Sequence, residues 1–482
     1  MGLLKRREID MTTGPIFKNL VTFAIPLVIA SLLQTAFSMA DTFVLGVFAE
    51  NGDLCVGAVS TTGALINMII ALFIGLSVGA NVVVARFIGA KNEERVKRTI
   101  GTAIFISLIA GGILVLVGIF CSRTFLTWLG VGEEFIDYAT TYLTIYFCGC
   151  PFMLLYNYSA NILRASGDTL RPMQYITIGG VINVILNIIL VVLTPLDVEG
   201  VAIATVASNA FASVACFRCL LKNKSVARFE KKYFKIYKEE LLELIKVGVP
   251  AGINSALFGF SNTLVGASIN KLGVIYGNHV VSGSGYSNQF DNLIYVCMNS
   301  IALSAQAFIS QNYGARDYER IRRSFFVALG IVSVVGIVIS ALMVSLVYPL
   351  INVISGDPLV AKAALTKTIW IGAFYTLCGL MDVMSYSLRG VGKSLTGMFV
   401  TLLGTVFFRV LWILFVFPLN ETEVMLYSVY PISWTITLIT FIIIISHVFK
   451  NLRKKFMLVE KINVDFRQES EAKLNEQKEQ TA

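Results

Sequence analysis

The chain has 482 residues, of which 56% are hydrophobic and only 14% are charged, with a formal net charge of +9. A soluble protein usually carries about 25% charged residues, so this composition excludes an ordinary soluble globular protein and indicates a membrane protein with many spans. The net positive charge does not indicate a nucleic-acid partner, because the basic residues collect in alternate connections between apolar segments.

Twelve apolar segments along the chain are long enough to cross a bilayer, which takes about 20 helical residues. Each is predicted to be a helix, because lipid offers no hydrogen-bond partner to an open backbone. The predicted spans are 16–47, 55–85, 97–120, 134–158, 173–193, 199–221, 246–271, 280–310, 323–348, 360–386, 397–418 and 425–449.

The charges of the connections predict which ends of the helices face the cytoplasm. Basic residues gather at 5–7, 86–98, 222–246 and 316–323 and after 450, whereas the alternate connections, such as 50–53, 133–134, 197–199 and 421–423, are acidic or neutral. Basic connections stay on the cytoplasmic side of the membrane. We therefore expect a plasma-membrane protein with both termini in the cytoplasm.

The first span carries a proline near its start and a carboxylate near its end. Pro26 removes a backbone hydrogen bond inside the helix and is predicted to act as a hinge. Gln34, Ser38 and Asp41 fall at i, i+4 and i+7, so all three share one face. A charged Asp in lipid costs roughly 2.5–3.5 kcal/mol, so this face is predicted to line a cavity. The alternative is a bundle helix whose polar side chains bond neighbouring helices.

The remaining spans contain few charged residues. Asp291 lies in the eighth span and Asp382 in the tenth, and Arg409 is interpreted as the one base deep inside a span. Either acid could bind a cationic substrate, or one of them could pair with Arg409. Asn157, which occupies the position matching Asp382 in the first half, is included in the predicted substrate cavity.

The two halves of the chain repeat. The basic segment 90–98 matches 315–323, and 163–167 matches 388–392, both at an offset of 225 residues; Pro250 matches Pro26 at 224. The matched loops lie on the same side of the membrane, so the repeats are parallel. The predicted fold is an all-α integral membrane protein with twelve transmembrane helices in two six-helix lobes around a central cleft. Pro250 is the second predicted hinge.

This repeat divides the chain into an amino-terminal lobe (1–221), a cytoplasmic linker (222–245), a carboxy-terminal lobe (246–450) and a polar cytoplasmic tail (451–482). The end of the tail is rich in Glu, Gln and Lys. Such a composition cannot bury a core, so the tail is expected to be disordered or a loose helix.

The sequence offers no catalytic or nucleotide-binding motif. Histidines are nearly absent, the paired cysteines have no histidine beside them, and no Walker loop appears. These features predict a protein that is not an enzyme and that has no metal site, no cofactor and no bound nucleotide. The duplicated bundle around a cleft is typical of transporters, and the remaining energy source is an ion gradient or the substrate itself.

Five segments resemble the multidrug and toxic compound extrusion (MATE) family: 26–42, 86–91, 157–169, 311–316 and 388–394. The resemblance covers residues 11–450. It implies a secondary antiporter that exports organic cations or other amphipathic compounds in exchange for H⁺ or Na⁺, with a small-molecule substrate and the lipid bilayer as its partners. We expect the chain to act as a monomer. An alternative is a lipid-linked saccharide flippase of the wider superfamily, for which only Arg409 could serve in the cavity.

The resemblance also implies a coupling site in the amino-terminal lobe. Relatives join a first-helix Asp to an Asn-x-x-x-Asp pair and a Thr; here Asp41, Asn183 and Thr205 match. Asn187 stands where these relatives have the second acid. A site with one carboxylate binds bare Na⁺ less well than a site with two, so proton coupling is predicted. The alternative for both Asn residues is interhelical hydrogen bonding.

Overall fold

The computed structural model describes residues 8–49, 52–194 and 196–481, and the described residues are overwhelmingly helical. Apolar composition over spanning length produces this result, since each helix satisfies its own backbone hydrogen bonds. The amino-terminal half contains α1 Ile16–Phe48, α2 Gly52–Gly89, α3 Glu93–Trp128, α4 Glu133–Cys148 with Cys150–Ala165, α5 Leu170–Val192 and α6 Val198–Lys222.

The carboxy-terminal half repeats this order of six spans. It contains α7 Lys238–Tyr276, α8 Asn278–Gly314, α9 Tyr318–Ser355, α10 Pro358–Gly390, α11 Ser394–Leu419 and α12 Glu423–Leu458. Within the described residues, eleven helices are long and apolar enough to cross a membrane. The two parts of α4, bent by 46° at Gly149, make the twelfth. The predicted count of twelve spans is confirmed.

Equivalent turns in the two halves adopt the same conformation. Among the described residues, the non-glycine residues with positive φ are Lys91 and Arg316, at 55° and 58°, which lie 225 residues apart. Each is followed by a capping side chain: Asn92 accepts a hydrogen bond from the backbone of Arg95, and Asp317 from that of Arg320. The sequence repeat is therefore also a structural repeat.

The two lobes meet through reciprocal contacts of equivalent residues. A Cβ added to Gly89 would lie 1.8 Å from the carbonyl oxygen of Gln311, and one added to Gly314 would lie 1.9 Å from that of Arg86. Gly89 and Gly314 are equivalent residues, as are Arg86 and Gln311. This exchange of partners is what a two-fold axis between parallel repeats produces, so the predicted arrangement of two parallel six-helix lobes is confirmed.

One of the two seams between the lobes is closed by glycines. Along α2 and α7 a Cβ on Gly75 would lie 2.2 Å from the backbone nitrogen of Gly252, and one on Gly248 would lie 2.6 Å from the Cα of Leu76. At the equivalent positions of α1 and α8 stand Ala24, Val28, Ser300 and Ser304. Small residues let helix backbones touch in a membrane. The α2–α7 seam can therefore pack more tightly than the seam between α1 and α8.

The connections rich in Lys and Arg meet at one end of the bundle, which we call the basic end (8–15, 90–95, 164–171, 223–237, 315–320 and 389–393). Here the Arg86 guanidinium of one lobe donates to the carbonyl oxygens of Gly390 (3.1 Å) and Arg389 (2.8 Å) of the other. Arg320 donates to the carbonyl oxygens of Met11 and Thr13, at 3.1 and 2.9 Å. The lobes are therefore locked together at the basic end.

Two helices are longer than the sequence predicts. Helix α7 begins at Lys238, eight residues before the predicted start of the span, and it begins with Glu239 and Glu240, which favour a helix amino terminus. Arg95 of α3 pairs with Glu240 at 3.0 Å and draws this first turn onto the amino-terminal lobe. The predicted tail is helical as well, because the helix that begins at Val429 within α12 continues past Leu458, the end of the span, to Thr481.

Candidate functional site

Four predicted side chains form one hydrogen-bonded chain in the amino-terminal lobe. The amide of Asn187 donates to Oδ1 of Asp41 and lies 3.4 Å from Oδ1 of Asn183. The amide of Asn183 in turn lies 3.4 Å from Oγ1 of Thr205. The structure thus brings together α1, α5 and α6, as the resemblance implies. The Asp41 carboxylate is the one acidic group in this chain of side chains.

A glycine in α5 permits this approach. A Cβ added to Gly180 would lie 1.9 Å from the ring of Phe37, so only glycine lets α1 pack so close one turn from Asn183. Asn187 is fully buried and Asn183 is 4% exposed. Directly after Asn187 the helix widens into a π-helical turn, Ile188–Val192, a distortion that is frequent at functional sites. Hydropathy predicts neither the close approach of α1 at Gly180 nor the π-helical turn after Asn187.

Part of the polar face of α1 opens into a cavity between the lobes, whereas Asp41 contacts Asn187 of α5 and does not line this cavity. Gln34 and Ser38 line a cavity of about 670 Å³, together with Thr42 of the same helix and Gln289 of α8. The predicted substrate-cavity residues of α1 therefore share one open space. Asn157 does not line this cavity, and its amide donates to the carbonyl oxygen of Met153 on its own helix at 2.8 Å.

A second cavity of about 640 Å³ lies in the carboxy-terminal lobe against α2. Asp291 lines it, and its Oδ2 lies 3.7 Å from the ammonium of Lys367. Lys367 is 3% exposed and its ammonium also donates to the hydroxyl of Ser284 at 3.1 Å and to the Asn288 amide oxygen. Asp291 therefore pairs with Lys367 and not with Arg409, so the expected pairing with Arg409 is wrong for this acid.

Lys367 was missed at the sequence level, because it lies near the predicted start of the tenth span, where a basic side chain is ordinarily expected to reach the membrane surface. The sequence signal was that Asp291 and Lys367 are charges of opposite sign within predicted spans, but the sequence does not show that the eighth and tenth spans are in contact. Arg409 is thus not the one base deep in a span.

Arg409 lies fully buried beside the second cavity. Its guanidinium lies 3.4 Å from the hydroxyl of Ser433 and 3.3 Å from the amide oxygen of Asn262. The Cζ atom of Arg409 lies 4.1 Å from the ring centre of Tyr430 and 5.8 Å from that of Trp434. These neighbours are uncharged, and they hold the cation by hydrogen bonds and by ring faces.

Asp382 of α10 is not among the residues that line the second cavity. Its Oδ2 is buried and has no hydrogen-bond partner among the described residues. Arg389 lies seven residues further along the same helix, and among the described residues no ion pair joins Asp382 to Arg409. Neither acid thus forms the expected pair with Arg409.

Both predicted hinge prolines lie inside long helices. Pro26 is within α1 and Pro250 within α7, and each helix continues past its proline. Pro250 stands between Gly248 and Gly252, the glycines of the closed seam. Among the described residues, no group of three His, Cys, Asp or Glu side chains could hold a metal ion.

Known proteins match both the sequence and the structure. The MatE family model matches residues 26–189 and 250–414, one match in each lobe. The Probable multidrug resistance protein YoeA of Bacillus subtilis is 27% identical over 390 residues, which are 79% of this chain and 82% of that protein. The Multidrug export protein MepA of Staphylococcus aureus is 27% identical over 410 residues, or 83% and 88% of the two chains.

Solved structures share the fold at lower sequence identity. A MOP superfamily transporter from Pyrococcus furiosus superposes with a TM-score of 0.85 at 19% identity and covers 93% of this chain and 99% of its own. A MATE transporter in an outward-facing conformation gives 0.84 at 19% identity, covering 94% and 100%. The family model spans well over half of the residues, in both lobes, and the chain therefore belongs to the MATE family of membrane transporters.

Proposed function

We propose that this protein exports organic cations and other amphipathic compounds from the cell by alternating access, as a monomer with both termini in the cytoplasm. Sequence relatives named for multidrug resistance and multidrug export support this substrate class. The alternative of a lipid-linked saccharide flippase is not favoured, because these relatives are named for multidrug resistance and multidrug export. Topology is supported by the collection of basic residues at one end of the bundle.

The described conformation fits an outward-facing state of such a cycle. The basic end, which we assign to the cytoplasm, is closed by the Arg86 hydrogen bonds and by the glycine seam between α2 and α7. The cavity lined by Gln34 and Ser38 lies between the lobes on the side of α1 and α8. Opening toward the cytoplasm would require the Arg86 contacts to break while the lobes rock apart.

We propose that protons drive export and that Asp41 is the group that carries them. The observation that supports this role is the chain from Asp41 through Asn187 and Asn183 to Thr205, which contains one acidic group and otherwise neutral partners. One proton neutralises such a site fully. A sodium ion would have to be held by one charge and a few neutral oxygens, and hard cations bind more tightly where more carboxylates contribute.

The test is efflux from proteoliposomes in which pH and sodium gradients are imposed separately. With ethidium as the transported cation, we expect a proton gradient to drive uphill transport in sodium-free buffer and a sodium gradient alone to give little. A requirement for sodium together with indifference to a collapsed pH gradient would contradict proton coupling.

A second variant examines why sodium is disfavoured. Asn187→Asp restores a second carboxylate beside Asp41, and we expect it to strengthen any response to sodium while preserving transport. The matched control is Asn157→Asp, on a neighbouring helix outside the hydrogen-bonded chain. The proposed role of this position is wrong if two results are found together: Asn187→Asp leaves the sodium response unchanged, and the parent protein shows a sodium response that Asn187→Ala lacks.

A further inference from the structure

The second cavity, in the carboxy-terminal lobe, contains charges that the coupling site does not use. Asp291 and Lys367 line it, and Arg409 lies behind the wall formed by Asn262 and Tyr430. These are one negative and two positive groups. Asp382, the other acid within the membrane-spanning helices of the lobe, does not line the cavity. The three groups Asp291, Lys367 and Arg409 together carry a net charge of +1.

Polar atoms at this cavity lack partners among the described residues. Nη2 of Arg409 and Nε1 of Trp434 are buried donors without an acceptor, and Oδ1 of Asp291 is a buried acceptor without a donor. Arg409 is 0% exposed, Trp434 is 1% exposed and Asp291 is 8% exposed. An unsatisfied buried polar group costs about 1–3 kcal/mol, and more if charged. Two of these three groups are donors and one is an acceptor, so the unpaired polar atoms at and behind this wall are mostly donors.

The walls of the cavity are mainly aromatic and aliphatic. Its volume of about 640 Å³ lies within the range of about 300–1,000 Å³ that small-molecule sites occupy. Phe258, Tyr375, Tyr430 and Trp434 supply ring faces, and Ile70 of α2 closes one side from the other lobe. A planar apolar body would be buried against these rings, with its polar end directed to the charged groups.

We propose that this cavity is a second ligand site that binds amphiphilic anions and zwitterions, whose acidic group is held by Lys367 and by the positive field of Arg409. Asp291 sets the selectivity of the site, because it offsets one of the two positive charges and would receive the cationic group of a zwitterion. This proposal rests on the proposed export function and extends it to substrates that carry a negative charge. These substrates would bind at a site separate from Asp41.

The test is equilibrium binding to purified protein in nanodiscs of phosphatidylcholine, without any ion gradient. The probes are 8-anilinonaphthalene-1-sulfonate and its uncharged analogue N-phenyl-1-naphthylamine, with empty nanodiscs subtracted. We expect saturable binding of the sulfonate, weakened by about tenfold or more in Lys367→Gln and strengthened in Asp291→Asn. The uncharged probe should change by less than about twofold. The matched control is Lys362→Gln, an exposed lysine on the same helix, which should bind like the parent protein.

The opposite signs expected for the two variants keep the test decisive even if one of them fails to fold. Equal sulfonate affinity in the parent protein, Lys367→Gln and Asp291→Asn would overturn the proposal. It would also be overturned if Asp291→Asn abolished binding of ethidium and left the sulfonate unaffected, since the cavity would then be a cation site. The sulfonate should bind to Asp41→Asn with the affinity of the parent protein. A result that refutes proton coupling at Asp41 would therefore leave the evidence for this second site unchanged.

Discussion

At the scale of single residues, the account depends on how each buried charge is compensated. Asp41 is half-buried and accepts a hydrogen bond from the amide of Asn187. Asp291 has the ammonium of Lys367, and Arg409 has hydroxyl, amide and ring partners. A buried charge without an opposite charge is costly unless it is neutralised or hydrogen-bonded. In the chain from Asp41 to Thr205, Asp41 carries the negative charge and has one amide donor but no opposite charge, so a proton would neutralise it.

The first prediction follows from this difference. We expect Asp41→Asn to abolish uphill ethidium efflux while expression and melting temperature stay near those of the parent protein, because the amide has similar size and can still bond Asn187. The control is Asp137→Asn, an exposed acid paired with Arg123 outside the cavities, which should transport normally. Parent-like uphill efflux by purified Asp41→Asn protein would show that another group couples the ion.

The candidate site was predictable from sequence only in part. Asp41, Asn183, Asn187 and Thr205 could be found because their segments match a family pattern, and the structure joins them in one chain. Lys367 could not be found by the same route. Its pairing with Asp291 depends on α8 and α10 packing together within the lobe, and hydropathy does not encode which spans are neighbours.

At the scale of helices, the two seams between the lobes are unequal although the halves repeat. The α2–α7 seam contains Gly75, Gly79, Gly248 and Gly252, and at the equivalent positions of the α1–α8 seam the residues are larger. Close backbone contact excludes water and substrate from the stretch of this seam between 75–79 and 248–252, and the second cavity lies beside that stretch, against 70–74 of α2. The lateral opening of the cleft should therefore lie between α1 and α8, where Gln34 and Gln289 line a cavity.

The second prediction concerns this closed seam. In Gly252→Ala the new methyl group would lie 2.6 Å from the carbonyl oxygen of Leu72, a backbone atom that cannot move aside easily. We expect a loss of about 1–3 kcal/mol, the usual cost of overpacking, seen as a lower melting temperature and reduced efflux. Gly259→Ala on the same helix, where the methyl group would meet nothing within 4 Å, is the control. Equal melting temperatures for the two variants would refute the tight seam.

The helices themselves were largely predictable from sequence, because spanning length and apolar composition leave the backbone no alternative to a helix. Their ends were predicted less well. The first turns of α7 are polar, so hydropathy assigns 238–245 to the linker, yet Arg95 binds Glu240 and draws the turn into the bundle. The bend in α4 at Gly149 likewise depends on a break in one apolar segment, which hydropathy averages away.

At the scale of the whole molecule, the parallel repeat places equivalent basic loops at one end of the bundle. The N-terminal segment also lies there and joins both lobes, since the backbone of Ile9 donates to the carbonyl oxygen of Gly167 and the amide of Asn312 donates to that of Met11. A rocking motion of the lobes must release or carry these contacts. Contacts at the basic end would therefore control the change between the outward-facing and inward-facing states.

The third prediction tests the orientation of the molecule. In a background without cysteines, Ser225→Cys in the linker should resist a membrane-impermeant maleimide added to intact cells, and Asn420→Cys in the opposite connection should react. Both should react after the cells are permeabilised, which controls for accessibility of the thiol. Labelling of the linker but not of residue 420 in intact cells would invert the topology.

The central claim is that substrate and protons move in opposite directions through one protein that couples them at Asp41. The direct measurement is the internal pH of sodium-free proteoliposomes after an ethidium gradient is imposed. The account predicts that substrate entering the vesicles drives protons out against their gradient in the parent protein and that Asp41→Asn moves none. Substrate movement without any change in internal pH, or the same pH change in Asp41→Asn, would contradict it.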